Sequence, residues 1–420
     1  MRQFYFLALL TYSFTAISQS QIKRVLFIGN SYTNVNNLPS LLANVALSTG
    51  DSIIYDSNTP GGYTFQGHIN NQTTLNKIAQ GNWDYVVLQE QSQRPSFPDG
   101  QVQTYVYPYA KLLDSLINDA NPCTETVFYM TWGRKNGDVS YCQSFPPVCT
   151  YQGMDSVLNL RYRHMADTNK AIVSPVGAVW NYIRATYPTI ELYSADESHP
   201  SLAGSYAAAC TFYATILRKD PTLITFNSNL SAAVADQIKS AAKLLVYDSL
   251  LNWHIGEYDA NAQFTSNQNG FQFQFFGSTD TLVKHLWDFG DGTMDSVANP
   301  IHTYSSLGYY YVTHTVSKCS TSDIDSSYAN LLTISLQDRS FDENKISIYP
   351  NPSRGIVTIN PGGERVRKVT VYSLNGVEVK VIVDEQSLQQ INLRELNSGC
   401  YFLKLELDEG NYSLKKVVMQ

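Results

Sequence analysis

Three residues in this sequence have the types and spacing that could form an activated nucleophile. Ser31 follows the apolar run 25–28 and a Gly-Asn break, and a stretch with helical spacing comes next, so it lies in a strand-to-helix turn. A hydroxyl alone is a poor nucleophile and needs a base. Asp196 and His199 stand three positions apart, close enough for the carboxylate to hold one imidazole nitrogen while the other faces a serine. These residues predict a Ser-His-Asp site.

Further polar groups follow other apolar runs. Gly61 and Gly62 stand in a loop where a backbone N–H can closely approach a ligand. The block 89–92 places amide and carboxyl groups directly after a buried run. Because the carboxyl ends of parallel strands meet at one edge of a sheet, we expect these groups near Ser31. Three weaker candidates for substrate binding, each with a structural alternative as a surface or packed side chain, are His68, Trp132 and Arg134.

Patterns of buried strands alternate with helical patterns through the first part of the chain. Strands are predicted over 24–28, 52–55, 85–88, 127–131 and 190–194. Helices are predicted over 102–117, 154–169 and 200–217. Alternation of this kind indicates βαβ units and a parallel sheet. The fold class predicted for residues 21–255 is therefore a three-layer α/β sandwich.

These polar blocks together resemble the SGNH (GDSL-like) hydrolase superfamily. The matching blocks are Gly-Asn-Ser-Tyr-Thr after the first strand, Gly-Gly-Tyr-Thr after the second and Asp-x-x-His-Pro near the end of the domain. The resemblance implies a flavodoxin-like fold, with Ser31 as the nucleophile and Asp196 and His199 as its partners. It also implies that the backbone N–H groups of Ser31 and Gly62 bind the oxyanion. No metal or organic cofactor is then required.

One block departs from the family pattern. Gly-x-Asn-Asp is absent, and Gln-Glu-Gln-Ser occupies its place at residues 89–92. The amide of Gln89 or of Gln91 can donate to an oxyanion as an Asn amide does, and the choice stays open, because a slip of one residue reverses the face of a side chain. The altered block resembles a branch with sialate- and acetylxylan-type O-acetylesterases, which favours acetylated carbohydrate as the substrate.

Two alternative functions fit the same residues. A lipase or thioesterase that acts on acyl chains keeps the triad and differs only in the shape of its pocket. A carbohydrate-binding or adhesive surface protein without catalysis is favoured by the altered block, whereas the intact Ser31, Asp196 and His199 argue against it.

The remaining chain has the character of β-structure. Residues 256–337 contain Trp-Asp-Phe-Gly-Asp-Gly and Pro-x-His-x-Tyr and resemble a PKD-type immunoglobulin-like domain, which implies a β-sandwich that serves as a spacer or a ligand-binding module. Residues 338–420 contain Tyr-Pro-Asn-Pro and Leu-Asn-Ser-Gly-Cys-Tyr-Phe and resemble the carboxyl-terminal sorting domain of type IX secretion substrates. That resemblance implies export across an outer membrane by the type IX machinery, removal of this β-domain, and release or surface attachment.

The charge of the chain restricts its partners, and its amino terminus favours export. The net charge of −7, without a Lys/Arg run, argues against nucleic acid or an anionic membrane surface as the partner.

Residues 1–20 have one basic side chain, an apolar run and small residues, which predicts a signal peptide. Export permits disulfides, and Cys142 and Cys149 in a Pro-rich loop are the predicted pair, whereas the pairing of the other cysteines stays open. No Cys-x-x-Cys or His-x-x-x-His spacing suggests a zinc site.

Overall fold

The computed structural model describes residues 20–332, 346–374, 376–383, 388–408 and 412–420. The predicted signal peptide, except Ser20, lies outside the described residues, and so does the predicted boundary between residues 337 and 338. The chain forms two compact units. The first ends at Asp259, and the second runs from Ala260 to Gln420.

A parallel sheet is the centre of the first unit. Its strands are β1 (Ile22–Ile28), β2 (Ser52–Asn58), β3 (Tyr85–Leu88), β4 (Glu125–Tyr129) and β5 (Ile172–Ser174). Their spatial order is β2-β1-β3-β4-β5, which is the flavodoxin-like doubly wound topology. Val25, Leu26 and Phe27 of β1 are completely buried, because a sheet of this class is covered on both faces. The predicted α/β fold class is confirmed.

Helices cover the sheet in two groups. The helices of this unit are α1 (Ser31–Asn34), α2 (Leu38–Leu47), α3 (Phe65–Ile69), α4 (Gln72–Ile78), α5 (Asp99–Tyr105), α6 (Tyr107–Ala120), α7 (Tyr151–Asn169), α8 (Val176–Thr186), α9 (Leu202–Leu217) and α10 (Ala232–Leu245). Helices α2, α8, α9 and α10 pack in one group, and α3 to α7 pack in the other. The sheet between them makes the middle layer of three.

One predicted strand of this unit is wrong. Residues 190–194 form no strand, although Leu192 and Tyr193 are buried, because their backbone meets a neighbour only at a single bridge between Tyr193 and Pro200. The fifth strand of the sheet is β5 instead, and three residues are too few to give a strong periodic signal.

The predicted helix over 102–117 is two helices. Helix α5 ends at Tyr105 and α6 begins at Tyr107, with Val106 between them. Pro108 has no backbone N–H, so it cannot continue the hydrogen-bond ladder of α5, and it stands instead in the first turn of α6.

The second unit consists of antiparallel sheets. Its strands are β6 (Thr265–Asn269), β7 (Gln272–Phe276), β8 (Lys284–Asp288), β9 (Met294–Asp295), β10 (Ile301–Thr303), β11 (Tyr309–Lys318), β12 (Thr321–Asn330), β13 (Ser347–Tyr349), β14 (Ile356–Asn360), β15 (Val366–Ser373), β16 (Glu378–Val383), β17 (Gln390–Asn392), β18 (Gly399–Leu407) and β19 (Tyr412–Met419). Sheets β10-β7-β6 and β12-β11-β8-β9 enclose an aromatic core around Trp287 and Phe275. Sheets β13-β14-β17 and β16-β15-β18-β19 enclose an aliphatic core. These are the two all-β domains that the sequence predicts.

A disulfide joins Cys142 and Cys149, the pair that the Pro-rich loop predicts. It closes an excursion between β4 and α7 at the carboxyl edge of the sheet. Cys210 and Cys400 carry free thiols. Within the described ranges, the structure contains no helix with the length and apolar character needed to cross a membrane.

Candidate active site

Ser31 is the first residue of α1, just beyond the carboxyl end of β1. Asn30 caps this short helix, because its side-chain oxygen accepts the Tyr32 N–H at 3.1 Å. The Asn30 Nδ2 group also donates to the Tyr63 carbonyl at 2.9 Å. The cap therefore holds Ser31 at the edge of the sheet and ties its turn to the loop that follows β2.

Ser31, His199 and Asp196 form one hydrogen-bonded series. The Ser31 Oγ lies 2.8 Å from His199 Nε2, and His199 Nδ1 bonds Oδ2 of Asp196. In a neutral imidazole, the tautomer that satisfies both contacts has Nδ1–H donating to the carboxylate and Nε2 accepting from the hydroxyl. This arrangement allows the imidazole to accept the Ser31 proton.

The Asp196 carboxylate is held in its charged form. Its Oδ1 accepts the backbone N–H of Ser198 at 3.2 Å and that of His199 at 3.0 Å. Partial burial raises the pKa of this carboxyl, but the hydrogen bonds from the His199 side chain and from the two backbone groups outweigh burial, so the pKa of Asp196 is lowered. The group therefore stays ionised at neutral pH, where it orients the imidazole.

Backbone hydrogen bonds fix the turn 196–199. Glu197 has a φ of 59°, the left-handed conformation that costs energy for a residue with a side chain. The Lys135 N–H donates to the Glu197 carbonyl at 3.0 Å, and the Ser194 N–H donates to the His199 carbonyl at 2.8 Å. One bond comes from the loop after β4 and the other from within the turn's own connection, and together they hold the strained turn and the imidazole.

Two aromatic side chains pack against this turn. The Tyr32 ring meets the His199 ring edge to face with centroids 5.2 Å apart, and its hydroxyl lies 2.6 Å from Ser198 Oγ. Trp132 stacks on Tyr32 at 4.9 Å, and its Nε1–H donates to the Ser198 carbonyl at 3.1 Å. Trp132 is fully buried, so the prediction that it binds substrate is wrong and its packed alternative holds. Sequence reasoning missed Tyr32, although its place directly after Ser31 was a signal.

The glycine loop after β2 is open to solvent. Gly62 is exposed and has a φ of 70°, which favours glycine, and a Cβ built on it would meet no atom within 4 Å. The bond between Asn30 and the Tyr63 carbonyl holds this loop against the Ser31 turn. The Gly62 backbone is therefore accessible, in a loop that is tied to the Ser31 turn.

Gln89 does not face the site. Its side chain is fully buried, and Oε1 accepts the Asn30 N–H at 2.9 Å and the Thr33 hydroxyl at 3.0 Å. Its Nε2 donates to the Glu90 carbonyl. The prediction that Gln89 is an oxyanion donor is therefore wrong. This amide instead joins the Ser31 turn to the end of β3.

Gln91 is the remaining candidate amide of this block. It is half-buried, and its Oε1 accepts the N–H groups of Gln93 at 2.9 Å and of Arg94 at 3.2 Å. Its Nε2 makes only a long contact of 3.4 Å with the Gln93 side chain. The Nε2 hydrogens are thus weakly engaged, and the role of Gln91 as an oxyanion donor stays a prediction.

A buried carboxyl group stands between the two glutamines. Glu90 accepts the Gln91 N–H at 2.6 Å and the Phe65 N–H at 3.1 Å, so it joins the end of β3 to the start of α3. Burial raises the pKa of Glu90 to about 8, although both backbone hydrogen bonds lower it. Sequence reasoning gave Glu90 no role of its own, because a charged residue in a polar block carries no sign that it turns inward.

His68 is a structural residue. It is fully buried, with Nε2 at 2.9 Å from the Gly29 carbonyl and Nδ1 at 2.8 Å from Thr74 Oγ1. Burial lowers the pKa of His68 to about 4, so its ring is neutral and Nε2–H can donate to the carbonyl. The prediction that His68 lines the pocket is wrong, and so is its alternative as a surface residue. The ring braces the end of β1.

Arg134 lies in the loop that follows β4. Its guanidinium is half-buried and lies 3.5 Å from Oδ1 of Asp138, whose Oδ2 accepts the Gln93 side-chain amide at 2.6 Å. The three side chains form a polar cluster at the carboxyl edge of the sheet. A role for Arg134 in substrate binding stays a prediction.

Two models of known families match the carboxyl-terminal part of the chain. Residues 257–330 match the PKD domain, and residues 347–420 match the secretion system C-terminal sorting domain. Both resemblances noted in the sequence are confirmed. The sorting domain marks the chain for type IX secretion, to the cell surface or beyond.

Individual relatives are distant or share little length. The collagenase ColQ1 of Bacillus cereus (strain Q1) is 44% identical over 48 residues, or 11% of this chain, and the chain spans about 5% of the length of this curated relative. A DUF4886 family protein from Bacteroides uniformis is 16% identical, with a TM-score of 0.47, over 55% of this chain and 99% of its own. A candidate SGNH hydrolase from Slackia heliotrinireducens is 25% identical, with a TM-score of 0.38, over 46% of this chain and 97% of its own.

Proposed function

We propose that this chain is a secreted serine esterase that hydrolyses carboxylic esters, with O-acetyl groups of carbohydrates as its substrates. The observation that carries the proposal is the 2.8 Å contact between Ser31 Oγ and His199 Nε2, in an imidazole whose other nitrogen bonds the Asp196 carboxylate. A nucleophile, a base and an orienting carboxylate in this order are the parts that acyl transfer to serine requires.

In the first half of the reaction, Ser31 Oγ attacks the carbonyl carbon of the ester and its proton passes to His199 Nε2. The new C–O bond gives a tetrahedral oxyanion, and Asp196 stabilises the imidazolium through Nδ1–H. The intermediate collapses when the bond to the alcohol breaks. The alcohol oxygen takes the proton from Nε2 and leaves, and the acyl group remains on Ser31.

In the second half, water replaces the alcohol. His199 Nε2 takes a proton from the water as its oxygen attacks the acyl carbon. The second oxyanion collapses, the bond to Ser31 Oγ breaks, and Nε2 returns the proton to that oxygen. Acetic acid leaves, and the site regains its starting state.

Three donors are proposed for the oxyanion. The Ser31 N–H lies at the start of α1, and the Gly62 N–H lies in the open loop beside it. The Gln91 amide is the third, because Gln89 is buried. A single oxyanion donor contributes about 2.7 to 4 kcal/mol to catalysis where it has been removed by mutation.

The polar surroundings of the site support a carbohydrate substrate. Side chains at this edge of the sheet include two amides and two charged groups, Gln91, Gln93, Arg134 and Asp138. The half-buried Arg134 guanidinium and the weakly engaged Gln91 amide can hydrogen bond the hydroxyls of a sugar, whereas a hydrocarbon chain offers them no acceptor.

The test is hydrolysis of p-nitrophenyl acetate and p-nitrophenyl octanoate by the full chain. We expect the acetate to be the better substrate, and the Ser31→Ala variant to lose activity by about 10⁴-fold or more. Ser40→Ala is the matched control, since Ser40 is a half-buried serine of α2 outside the hydrogen-bonded series. It should keep the parent activity.

Each other outcome has a distinct meaning. Hydrolysis that persists in Ser31→Ala would contradict the assigned nucleophile. If the chain prefers octanoate and Ser31→Ala abolishes that hydrolysis, the esterase assignment stands, but the substrate is a lipid and not a carbohydrate. A folded chain that hydrolyses neither ester would favour a binding protein without catalysis.

A further inference from the structure

A cavity of about 230 Å³ opens among α3, the connection that follows β3 and the junction of α5 and α6. Its lining residues are Gln66, Arg94, Phe97, Gln101, Tyr105 and Val106. They combine one guanidinium with two amides and two aromatic rings. This mixture suits a small polar ring with an anionic group, because aromatic rings can cover its C–H face while the amides and the cation bind its oxygens.

The topology places this cavity at the same edge of the sheet as Ser31. Strand β1, which ends before Ser31, lies between β2 and β3 in the sheet. Gln66 stands in α3, four residues after Gly62 in the connection from β2, and Arg94 stands in the connection from β3, three residues after Gln91. The two connections meet where the Arg94 guanidinium contacts the Gln66 side chain. The cavity is thus built by the same loops that carry two proposed oxyanion donors.

The Arg94 guanidinium has only weak partners. It donates to Gln66 Oε1 and to the Tyr105 carbonyl, both at 3.4 Å, and it lies 5.9 Å from the centre of the Tyr105 ring. In the part of the chain that the structure describes, no carboxylate oxygen lies within 4.0 Å of it. By contrast, Arg218 pairs with Asp259. Arg94 therefore presents a charge and a planar fork of donors to the cavity.

Glu90 does not supply the missing negative charge. It stands four residues before Arg94, but its carboxyl is completely buried and accepts backbone N–H groups instead. Burial raises its pKa to about 8, although the two backbone hydrogen bonds and the charge of Arg94 lower it, so the carboxyl is mostly protonated at neutral pH. The charge of Arg94 is thus left for a ligand.

We propose that this cavity binds a carboxylate on the alcohol part of the substrate, so that the esters hydrolysed at Ser31 are acetylated acidic sugars. The carboxylate would accept two hydrogen bonds from the Arg94 fork, and the ring of the sugar would lie against Phe97 and Tyr105. The link to hydrolysis rests on the proposed esterase function, but the binding of the carboxylate does not depend on turnover.

The experiment is calorimetric titration of the full chain with glucuronate and with glucose, which carry no ester and differ by one carboxylate. We expect glucuronate to bind about tenfold more tightly or better, since hydrogen bonds to charged groups are the strong ones. Arg94→Gln should remove this difference, and Arg94→Lys, which keeps the charge without the fork, should restore part of it. Lys111→Gln, which removes an exposed cation of α6, is the control and should keep the full difference.

Three results would overturn this inference: equal binding of the two sugars, no measurable binding of glucuronate, or unchanged binding by a folded Arg94→Gln variant. None of them depends on Ser31. Failure of the esterase proposal would instead appear as ester hydrolysis that survives in Ser31→Ala, so the two failures are distinguishable.

Discussion

The turns that leave β1 and β3 are both polar, but their side chains have opposite roles. Both turns place polar residues directly after a buried strand, at the same edge of the sheet. After β1, the hydroxyl of Ser31 remains accessible and contacts His199 at 2.8 Å. After β3, the side chains of Gln89 and Glu90 are completely buried and bind backbone groups.

This difference shows that the two turns depend on each other. Gln89 binds the Asn30 N–H beside the nucleophile, and Glu90 binds the Phe65 N–H at the end of the glycine loop. Buried polar side chains that satisfy backbone groups fix loops in place, because an unmade hydrogen bond in the interior is costly. The turn after β3 thus supports the loops that carry the chemistry, and only Gln91 is left to take part in it.

The largest expected effect on turnover is at the reactive turn. We expect His199→Ala to lower kcat by about 10⁴-fold or more, because Ser31 then has no base. The free energy of unfolding should fall by no more than about 1 to 3 kcal/mol, since the half-buried imidazole makes two side-chain hydrogen bonds. Ester hydrolysis and urea unfolding measure the two effects. His164→Ala, at an exposed position of α7, is the control, and equal kcat values for the two variants would contradict the assigned base.

The next-largest expected effect on turnover is at Gln91, and it distinguishes this residue from the buried Gln89. Gln91→Glu keeps the oxygen that accepts the Gln93 and Arg94 N–H groups but replaces the amide donor by a carboxylate. We expect kcat to fall by about a hundredfold, which is typical of the loss of one oxyanion donor. The urea midpoint should stay at the parent value. Unchanged turnover would remove Gln91 from the oxyanion site.

Gln89→Ala should reverse this pattern. The substitution leaves the Asn30 N–H and the Thr33 hydroxyl without their buried acceptor, so we expect a loss of about 2 to 4 kcal/mol in the free energy of unfolding. Turnover per folded molecule should fall less than in Gln91→Glu. Urea unfolding, followed by kinetics well below the midpoint, measures both. A stable variant with greatly reduced kcat would instead return Gln89 to the oxyanion site.

We expect Glu90 to have the smallest effect on turnover. Its substitution should change the pH dependence of stability instead. The folded state holds the Glu90 proton up to a pKa of about 8, whereas the unfolded chain releases it near the ordinary value of 4.5. Between these values the folded state binds more protons, so its stability falls as pH rises. Glu90→Gln removes this dependence, and the stability of the parent relative to the variant should decrease from pH 5 to pH 8.

Urea unfolding of both proteins at pH 5, 6.5 and 8 tests this expectation. The lowered pKa of Asp196 is common to both proteins, and it acts in the acid range below 3.8. Parallel stability curves across the three pH values would show that Glu90 is already ionised in the folded state.

The sequence predicted the α/β class and the β-domains because strong periodic patterns identify strands and helices. It also predicted that Ser31, Asp196 and His199 come together, because the carboxyl ends of parallel strands share one edge of a sheet. It could not predict which side chains turn inward there. Gln89 and His68 are polar and belong to the right loops, yet both are buried to satisfy backbone groups near β1. Orientation of this kind depends on tertiary contacts that a local pattern does not contain.

A similar limit applies to the aromatic residues. Trp132 has the size and position of a sugar-binding residue, but stacking on Tyr32 and a hydrogen bond to the Ser198 carbonyl place it behind the turn 196–199. The wrong strand over 190–194 has the same cause, since its buried residues pack without forming a strand ladder. A sequence pattern can predict that a residue is buried, but it does not predict which residues pack against it.

The most direct test of the account is covalent labelling of the full chain with an alkyl fluorophosphonate, followed by intact mass and peptide mapping. The account predicts one adduct, on Ser31, that is absent in Ser31→Ala and strongly reduced in His199→Ala, because only an activated serine displaces fluoride from phosphorus. An adduct on a different residue, or none on a folded chain, would contradict the assignment of Ser31 as the nucleophile.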